Sequence, residues 1–252
     1  MSCVAQAVRV RYGEKNLGEA VLQLQSALAE YRAEEYLLML AIWSDGAERR
    51  RWLDEALTLA PGYDQAYLHR GSLRLSAGDV QAGVEDLDRC LEICPTNMSA
   101  RINRGVGRHH LKNYAGAVDD YTEALAIAPN AIAFANRGLA TSALKHWDAA
   151  VADFDRALAL REAWPLVHHV RGVAKLGQED FDGAVAAFTR CIELAPSHLN
   201  AYARRGSAHH RAGRPREAVA DFEYVLRVAP RDWAERALVE RCLLAARADL
   251  PR

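Results

Sequence analysis

Asp64–Asn97 reads DQAYLHRGSLRLSAGDVQAGVEDLDRCLEICPTN. Val80, Val84, Leu87 and Leu91 recur at steps of three and four, which marks one face of an α-helix. Tyr67, Gly71 and Leu75 mark a second face, four residues apart, in the first half. Gly78-Asp79 separates the halves. A glycine supplies the left-handed conformation that ends one helix, and an aspartate can cap the next. Pro95 closes the second helix, because proline lacks an N–H and clashes with the preceding turn. The stretch is therefore expected to be a helix hairpin.

The same unit recurs along the chain. Gly71, Gly105, Gly138, Gly172 and Gly206 lie 34, 33, 34 and 34 residues apart, each preceded by an arginine: Arg70, Arg104, Arg137, Arg171 and Arg205. Pro61, Pro95, Pro129, Pro196 and Pro230 keep the same beat. A period of this size signals stacked supersecondary units, each packing mainly on its neighbours. The joint returns as Lys112-Asn113, Lys145-His146, Glu179-Asp180 and Gly213-Arg214. Small residues recur in the second helix at Gly83, Ala117, Ala150, Ala184 and Ala218, where they let helices approach closely. Three positions beyond most of these stand Asp120-Tyr121, Asp153-Phe154 and Asp221-Phe222.

The period, the small residue in each helix, the slot of Tyr67, Phe134 and Tyr202, and the closing proline together resemble the tetratricopeptide repeat. The resemblance runs from Asp64 to Asp232. It implies an all-α fold, a right-handed superhelical solenoid of antiparallel helix hairpins. Five clear units are expected over residues 64–232. Upstream, Asn16–Glu30 and Gly46–Pro61 look like second helices and Ala33–Trp43 like a first helix, giving two degenerate units over residues 1–63. Residues 233–252 hold a terminal helix from Trp233 that covers the last apolar face, so the whole chain is one array. One irregularity stands out. The unit after Pro129 is one residue short before its glycine, and Glu162 occupies the next proline position, so the loop there is expected to be reshaped.

Bulk composition narrows the function. Half of the residues are apolar, enough for a continuous core. The formal net charge of −1 argues against a broad phosphate-binding surface. Charge is uneven: residues 199–252 carry eleven arginines and seven acids, and residues 1–61 carry seven bases and nine acids. The opening MSCVAQAVRVRYGEK has no signal-peptide pattern and no run is long enough to span a membrane, so a cytoplasmic protein with no membrane partner is expected. Five cysteines without a framework spacing fit a reducing compartment.

Chemistry is sparse. No phosphate-binding glycine loop, HExxH or G-x-S-x-G nucleophile turn is present, and neither a catalytic residue, a cofactor nor a metal is expected. The pairs His109-His110, His168-His169 and His209-His210 diverge by about 100° on a helix, so neither ring of a pair joins its neighbour on one ion. Cys90 and Cys191 share a slot with Ala124 and Ala157 and read as small core residues. The arginines before the glycines match Asp86, Asp120, Asp153 and Asp221 on the second helices as structural ion pairs. Arg171 faces Ala187 in that slot and is expected to be unpaired.

Members of this family bind extended peptides or partner helices on an inner surface lined by first helices. Carried over by position, that surface comprises Ile102, Asn103, Val106 and His109, then Asn136 and Leu139, then His169 and Val173, then Arg204, Ser207 and Arg211. Leu68, His69, Ser72 and His210 lie in the same rows. Asn103 and Asn136 hold one slot in successive units, and an amide both donates to and accepts from a peptide backbone. The lysines and arginines with which some members clamp a C-terminal carboxylate are missing. The resemblance implies a non-enzymatic protein-interaction scaffold whose partner is a protein or peptide with acidic residues near Arg204 and Arg211. A helical-repeat nucleic-acid binder and a metal-dependent protein using the histidine pairs are the alternatives. The first is disfavoured by the apolar Ile102, Val106 and Leu139.

Overall fold

The computed structural model describes residues 33–250, which contain thirteen α-helices and no strand. They are α1 (Ala33–Trp43), α2 (Gly46–Leu59), α3 (Asp64–Ser76), α4 (Val80–Ile93) and α5 (Met98–His110). Next come α6 (Tyr114–Ile127), α7 (Ala131–Ala143), α8 (Trp147–Leu160) and α9 (Pro165–Gly177). Last are α10 (Phe181–Leu194), α11 (Leu199–Arg211), α12 (Pro215–Val228) and α13 (Arg236–Ala248). The second helix expected at Asn16–Glu30 lies outside the described residues. The terminal helix begins at Arg236 rather than Trp233, because a turn from Pro230 to Trp233 precedes it.

Contacts divide the chain into two compact units, one ending at Lys112 and one beginning at Asn113. In the first, α1 through α5 pack consecutively and α3 also touches α5. In the second, α6 through α13 pack consecutively, while α7 touches α9, α9 touches α11 and α11 touches α13. First helices thus meet one another as well as their hairpin partners.

The core repeats with the sequence. Leu87, Tyr121, Phe154, Phe188 and Phe222 are all essentially inaccessible, as are the small residues Ala117, Ala150, Ala184 and Ala218. The glycine of the first helix exists to admit the large residue of the second. A Cβ on Gly138 would stand 2.6 Å from the Phe154 ring, and one on Gly71 would stand 2.8 Å from Leu87 Cγ. Side-chain volume has moved from one helix to the other so that the backbones can approach.

The joints have a common geometry. Lys145 N–H donates to Ser142 O and His146 N–H to Thr141 O, both at 2.9 Å. Leu176, Lys175, His210 and His209 serve the equivalent donors of the next two joints. These paired bonds satisfy helix-end carbonyls when one residue turns left-handed. Gly78 and Gly213 adopt φ of +85° and +72°, yet Lys112, Lys145 and Glu179 take +61° without being glycine. Asn113 and Asp180 cap the following helices by accepting from Gly116 and Gly183 N–H. Asp79 occupies the equivalent N-cap position, but its side chain makes no cap bond.

The arginines before the glycines hold the frame together in two directions. Arg70, Arg137 and Arg205 each give two hydrogen bonds, at 2.9 and 2.7 Å, to Asp86, Asp153 and Asp221 on the following helix. Each also reaches back to the preceding second helix: Arg70 to Asp54, Arg137 to Thr122 and Arg205 to Thr189. Arg104 reaches back in the same way to Asp88 at 2.8 Å. Arg171 corrects the sequence reading, for it is not unpaired. With Ala187 in the forward slot, its Nε donates backward to Asp155 Oδ1 at 2.6 Å.

The irregular loop is rebuilt around a histidine. His168 occupies the slot filled by Tyr67, Phe134 and Tyr202 in other units and is buried. Its Nε2 lies 3.0 Å from the carbonyl of Glu162, the residue that stands in place of the missing proline, and Trp164 N–H donates to the same carbonyl at 2.9 Å. Hydrogen bonds close this loop where a proline closes the others.

Candidate functional site

First-helix side chains form two separate sets, one in each compact unit. In the first unit, α5 carries Ile102, Asn103, Val106 and His109, all half-buried. Asn103 Nδ2 donates to Ser72 Oγ on α3 at 2.8 Å, and Ser72 in turn donates to Leu68 O. One of the two amide N–H donors is therefore committed, leaving the other and the oxygen. Beside Ser72, α1, α2 and α3 enclose an open cleft of about 330 Å³ lined by Ala41, Ile42, Arg49, Leu53 and His69. Burial and the neighbouring Arg49 charge lower the His69 pKa, and burial with His110 lowers that of His109. The rings of His109 and His110 stand perpendicular with centroids 6.3 Å apart, the divergence expected of helix neighbours.

In the second unit the set runs over α7, α9 and α11. Asn136 is half-buried, and its side chain makes no hydrogen bond among the described residues. Leu139, one turn further along α7, is exposed, as are Ile132 and Leu166 at the helix starts. Val173 is not a surface residue in the same sense. It packs with Leu176 against the buried Ala184, Phe188 and Ala208. His169 likewise turns toward the junction of α9 with its neighbours, its ring 5.5 Å from Phe188 and 4.8 Å from His198. Burial, with His198 and Arg204 adding to it, pushes the His169 pKa down to about 4.

The basic end of the set is less open than its composition suggests. Ser207 donates back to Ala203 O within the helix. Arg211 pairs with Glu179 at 3.2 Å and lies 4.6 Å over the Phe181 ring, so its charge is partly answered. His210 Nε2 lies 2.7 Å from Asp249 Oδ2, which brings the segment after α13 against the end of α11. Arg204 alone of the three predicted polar residues on α11 is exposed without an ion-pair partner among the described residues.

Two stretches of this sequence are matched by family models. The description is tetratricopeptide repeat in both cases, over residues 64–97 and 169–232. This is a tetratricopeptide-repeat protein. Solved tetratricopeptide arrays share the all-α helical-repeat solenoid fold. The crystal structure of PilW, described as a type IV pilus biogenesis factor, superposes with a TM-score of 0.73 at 17% identity, covering 83% of this chain and 99% of that one. YrrB, described as a protein of this family with an unusual peptide-binding site, superposes with a TM-score of 0.66 at 18% identity, covering 78% of this chain and 97% of its own. At these identities the likeness concerns the fold. In sequence, the human SGT1 homolog is 34% identical over 71 residues, which is 28% of this chain and 20% of that protein. The tetratricopeptide chain described here thus spans about a fifth of that relative. No helix among the described residues is long and apolar enough to cross a membrane.

Proposed function

We propose that this protein is a non-enzymatic scaffold that holds a segment of a partner protein against the first helices of its second unit, α7, α9 and α11. The observation that carries this reading is the pairing of Asn136 and Leu139 on α7. A half-buried amide with no internal hydrogen bond sits one turn from an exposed leucine. An amide in that state gains from a peptide backbone what water now gives it, and the leucine gains from burial under an apolar side chain. Arg204 adds a preference for an acidic residue further along the segment. The α5 set, with Asn103 half-committed to Ser72, is a second surface of the same kind.

Tetratricopeptide membership and the partial match to the SGT1 homolog support a protein partner over a small-molecule substrate. The test is affinity capture from a native extract on wild type, Asn136→Ala, Leu139→Asp and Asn103→Ala, with partners identified by mass spectrometry. The groove reading expects a defined partner to be lost on Leu139→Asp and weakened on Asn136→Ala. Equal recovery of every partner by all four proteins would reject this surface.

A further inference from the structure

One cluster of ligating side chains lies apart from the exposed row. His169 of α9, Cys191 of α10 and His198 at the N-cap of α11 each present one ligand atom, and these atoms all lie within 4.8 Å of one another. Cys191 is fully buried, and His169 Nδ1 is buried with no hydrogen-bond partner. An imidazole nitrogen left unsatisfied in this way calls for a specific explanation.

The chain supplies its own comparison. The slots of His169, Cys191 and His198 hold Leu68, Cys90 and Asn97 in the unit of α3 and α4. In the unit of α7 and α8 the first two slots hold Ala135 and Ala157, and Trp164 stands at the cap. Aliphatic or small side chains serve the fold at the first two slots. At the cap slot Asn97 does what His198 does, accepting from the backbone N–H three residues on. Neither histidine is required by the hairpin, and only in this unit do two histidines and a cysteine coincide.

We propose that His169, Cys191 and His198 form a binding site for a single zinc(II) ion. Two imidazoles and a thiolate suit this borderline-soft cation, with water in the fourth position. Tetrahedral bonding at the usual zinc distances brings ligand atoms to about 3.3–3.6 Å of each other, so the cluster contracts by roughly 1 Å through side-chain rotation. Binding forms two Zn–N bonds and one Zn–S bond and releases the Cys191 thiol proton to solvent. It also exchanges one existing contact. His198 Nδ1 now accepts from Ala201 N–H at 3.2 Å, a long cap bond. Whether the ion takes that lone pair directly, or takes Nε2 after the ring proton moves to Nδ1, the cap is given up to the metal. Zinc uptake is thereby coupled to the start of α11, the helix that carries Arg204.

The experiment uses the full chain purified without a histidine tag and stripped with chelator. Cobalt(II) is titrated while the thiolate-to-cobalt charge-transfer absorption is followed, and zinc(II) then displaces it. The three variants copy residues that the chain itself places at the same slots: Cys191→Ala, His169→Leu and His198→Asn. The proposal expects one equivalent of cobalt with a charge-transfer band in wild type. It also expects loss of the band in Cys191→Ala and roughly tenfold or weaker binding in the two histidine variants. Helix content by circular dichroism identifies any variant that misfolds, and His198→Asn, which retains a capping side chain, remains decisive in that case. Absence of the band in wild type, less than one equivalent bound, or a band that survives Cys191→Ala would overturn the site.

Discussion

Arg137 and Asp153 stand sixteen residues apart and meet through two parallel hydrogen bonds, Nε to Oδ2 at 2.9 Å and a terminal nitrogen to Oδ1 at 2.7 Å. The carboxylate is buried and the guanidinium mostly so. A fork-to-fork pair of this kind resists rotation as well as separation, so it fixes the angle between α7 and α8. Removing only the arginine leaves an unpaired charge in the interior. Arg137→Ala is therefore expected to destabilise by about 2–4 kcal/mol in urea unfolding. Arg190→Ala, which breaks only exposed contacts with Glu193 and Glu162, should leave the unfolding midpoint nearly unchanged. Comparable losses at the two sites would show that the buried pair contributes no more than a surface one.

The forward partners of these arginines are legible in the sequence as a repeated acidic slot, and the backward ones are less so. Asp54, Asp88, Thr122, Asp155 and Thr189 recur at the same period as the glycines and were visible for that reason. Assigning each arginine one partner left Arg171 apparently free. A guanidinium has five N–H donors on two open edges, and both edges find acceptors here. Helix boundaries were legible because period, joint and closing proline all point the same way. The candidate site was legible only as slots. That Asn103 gives its amide to Ser72, or that Arg211 turns to Glu179, depends on side chains about thirty residues away in sequence, and neighbouring-unit contacts leave no local pattern. His169, Cys191 and His198 come from three elements and share no motif spacing.

Gly138 tests the exchange of volume between paired helices. Its missing Cβ would stand 2.6 Å from Cε1 of Phe154, a ring with no exposure and no room to retreat. Gly138→Ala is expected to destabilise by about 1–3 kcal/mol despite the better helix propensity of alanine. Combining it with Phe154→Ala, which removes the ring that the new methyl meets, should cost less than the sum of the two single changes. A denaturant-melt cycle over the four proteins measures that coupling, and strict additivity would mean that the two side chains do not compete for the same space.

Lys145 ends α7 at a φ of +61°, where Gly78 and Gly213 serve the equivalent joints. An L side chain in the left-handed region carries about 1–2 kcal/mol of steric cost. Replacing it with glycine removes that strain but loosens the unfolded chain by about 0.4–1 kcal/mol. Lys145→Gly is expected to raise stability by about 0.5–1 kcal/mol, and Gly213→Ala to lower it by a similar or larger amount. Thermal melts of both proteins provide the measurement. A destabilised Lys145→Gly would indicate that the lysine side chain makes a contribution beyond the turn.

His168 offers a pH-dependent contribution whose sign is fixed by its surroundings. Burial lowers its pKa from the ordinary 6.5, and the charges of Arg190 and Arg171 lower it further, against the opposing pull of the Glu162 carbonyl and carboxylate. The unfolded chain therefore takes up this proton more readily than the folded one. The stabilisation is fully present above about pH 6.5 and is lost as pH falls from there toward the lower folded pKa. His168→Phe restores the ring found at Phe134 and removes the titration, at the expense of the 3.0 Å contact with Glu162 O that closes the loop. The variant should melt lower than wild type at pH 7.5, and the gap between them should narrow as the buffer is taken to pH 5. His69, His109, His169 and His209, whose pKa values are also lowered, remain in both proteins and contribute equally to both curves. Parallel melting curves across that range would assign the acid sensitivity to those other histidines and leave His168 with a purely geometric role in the loop.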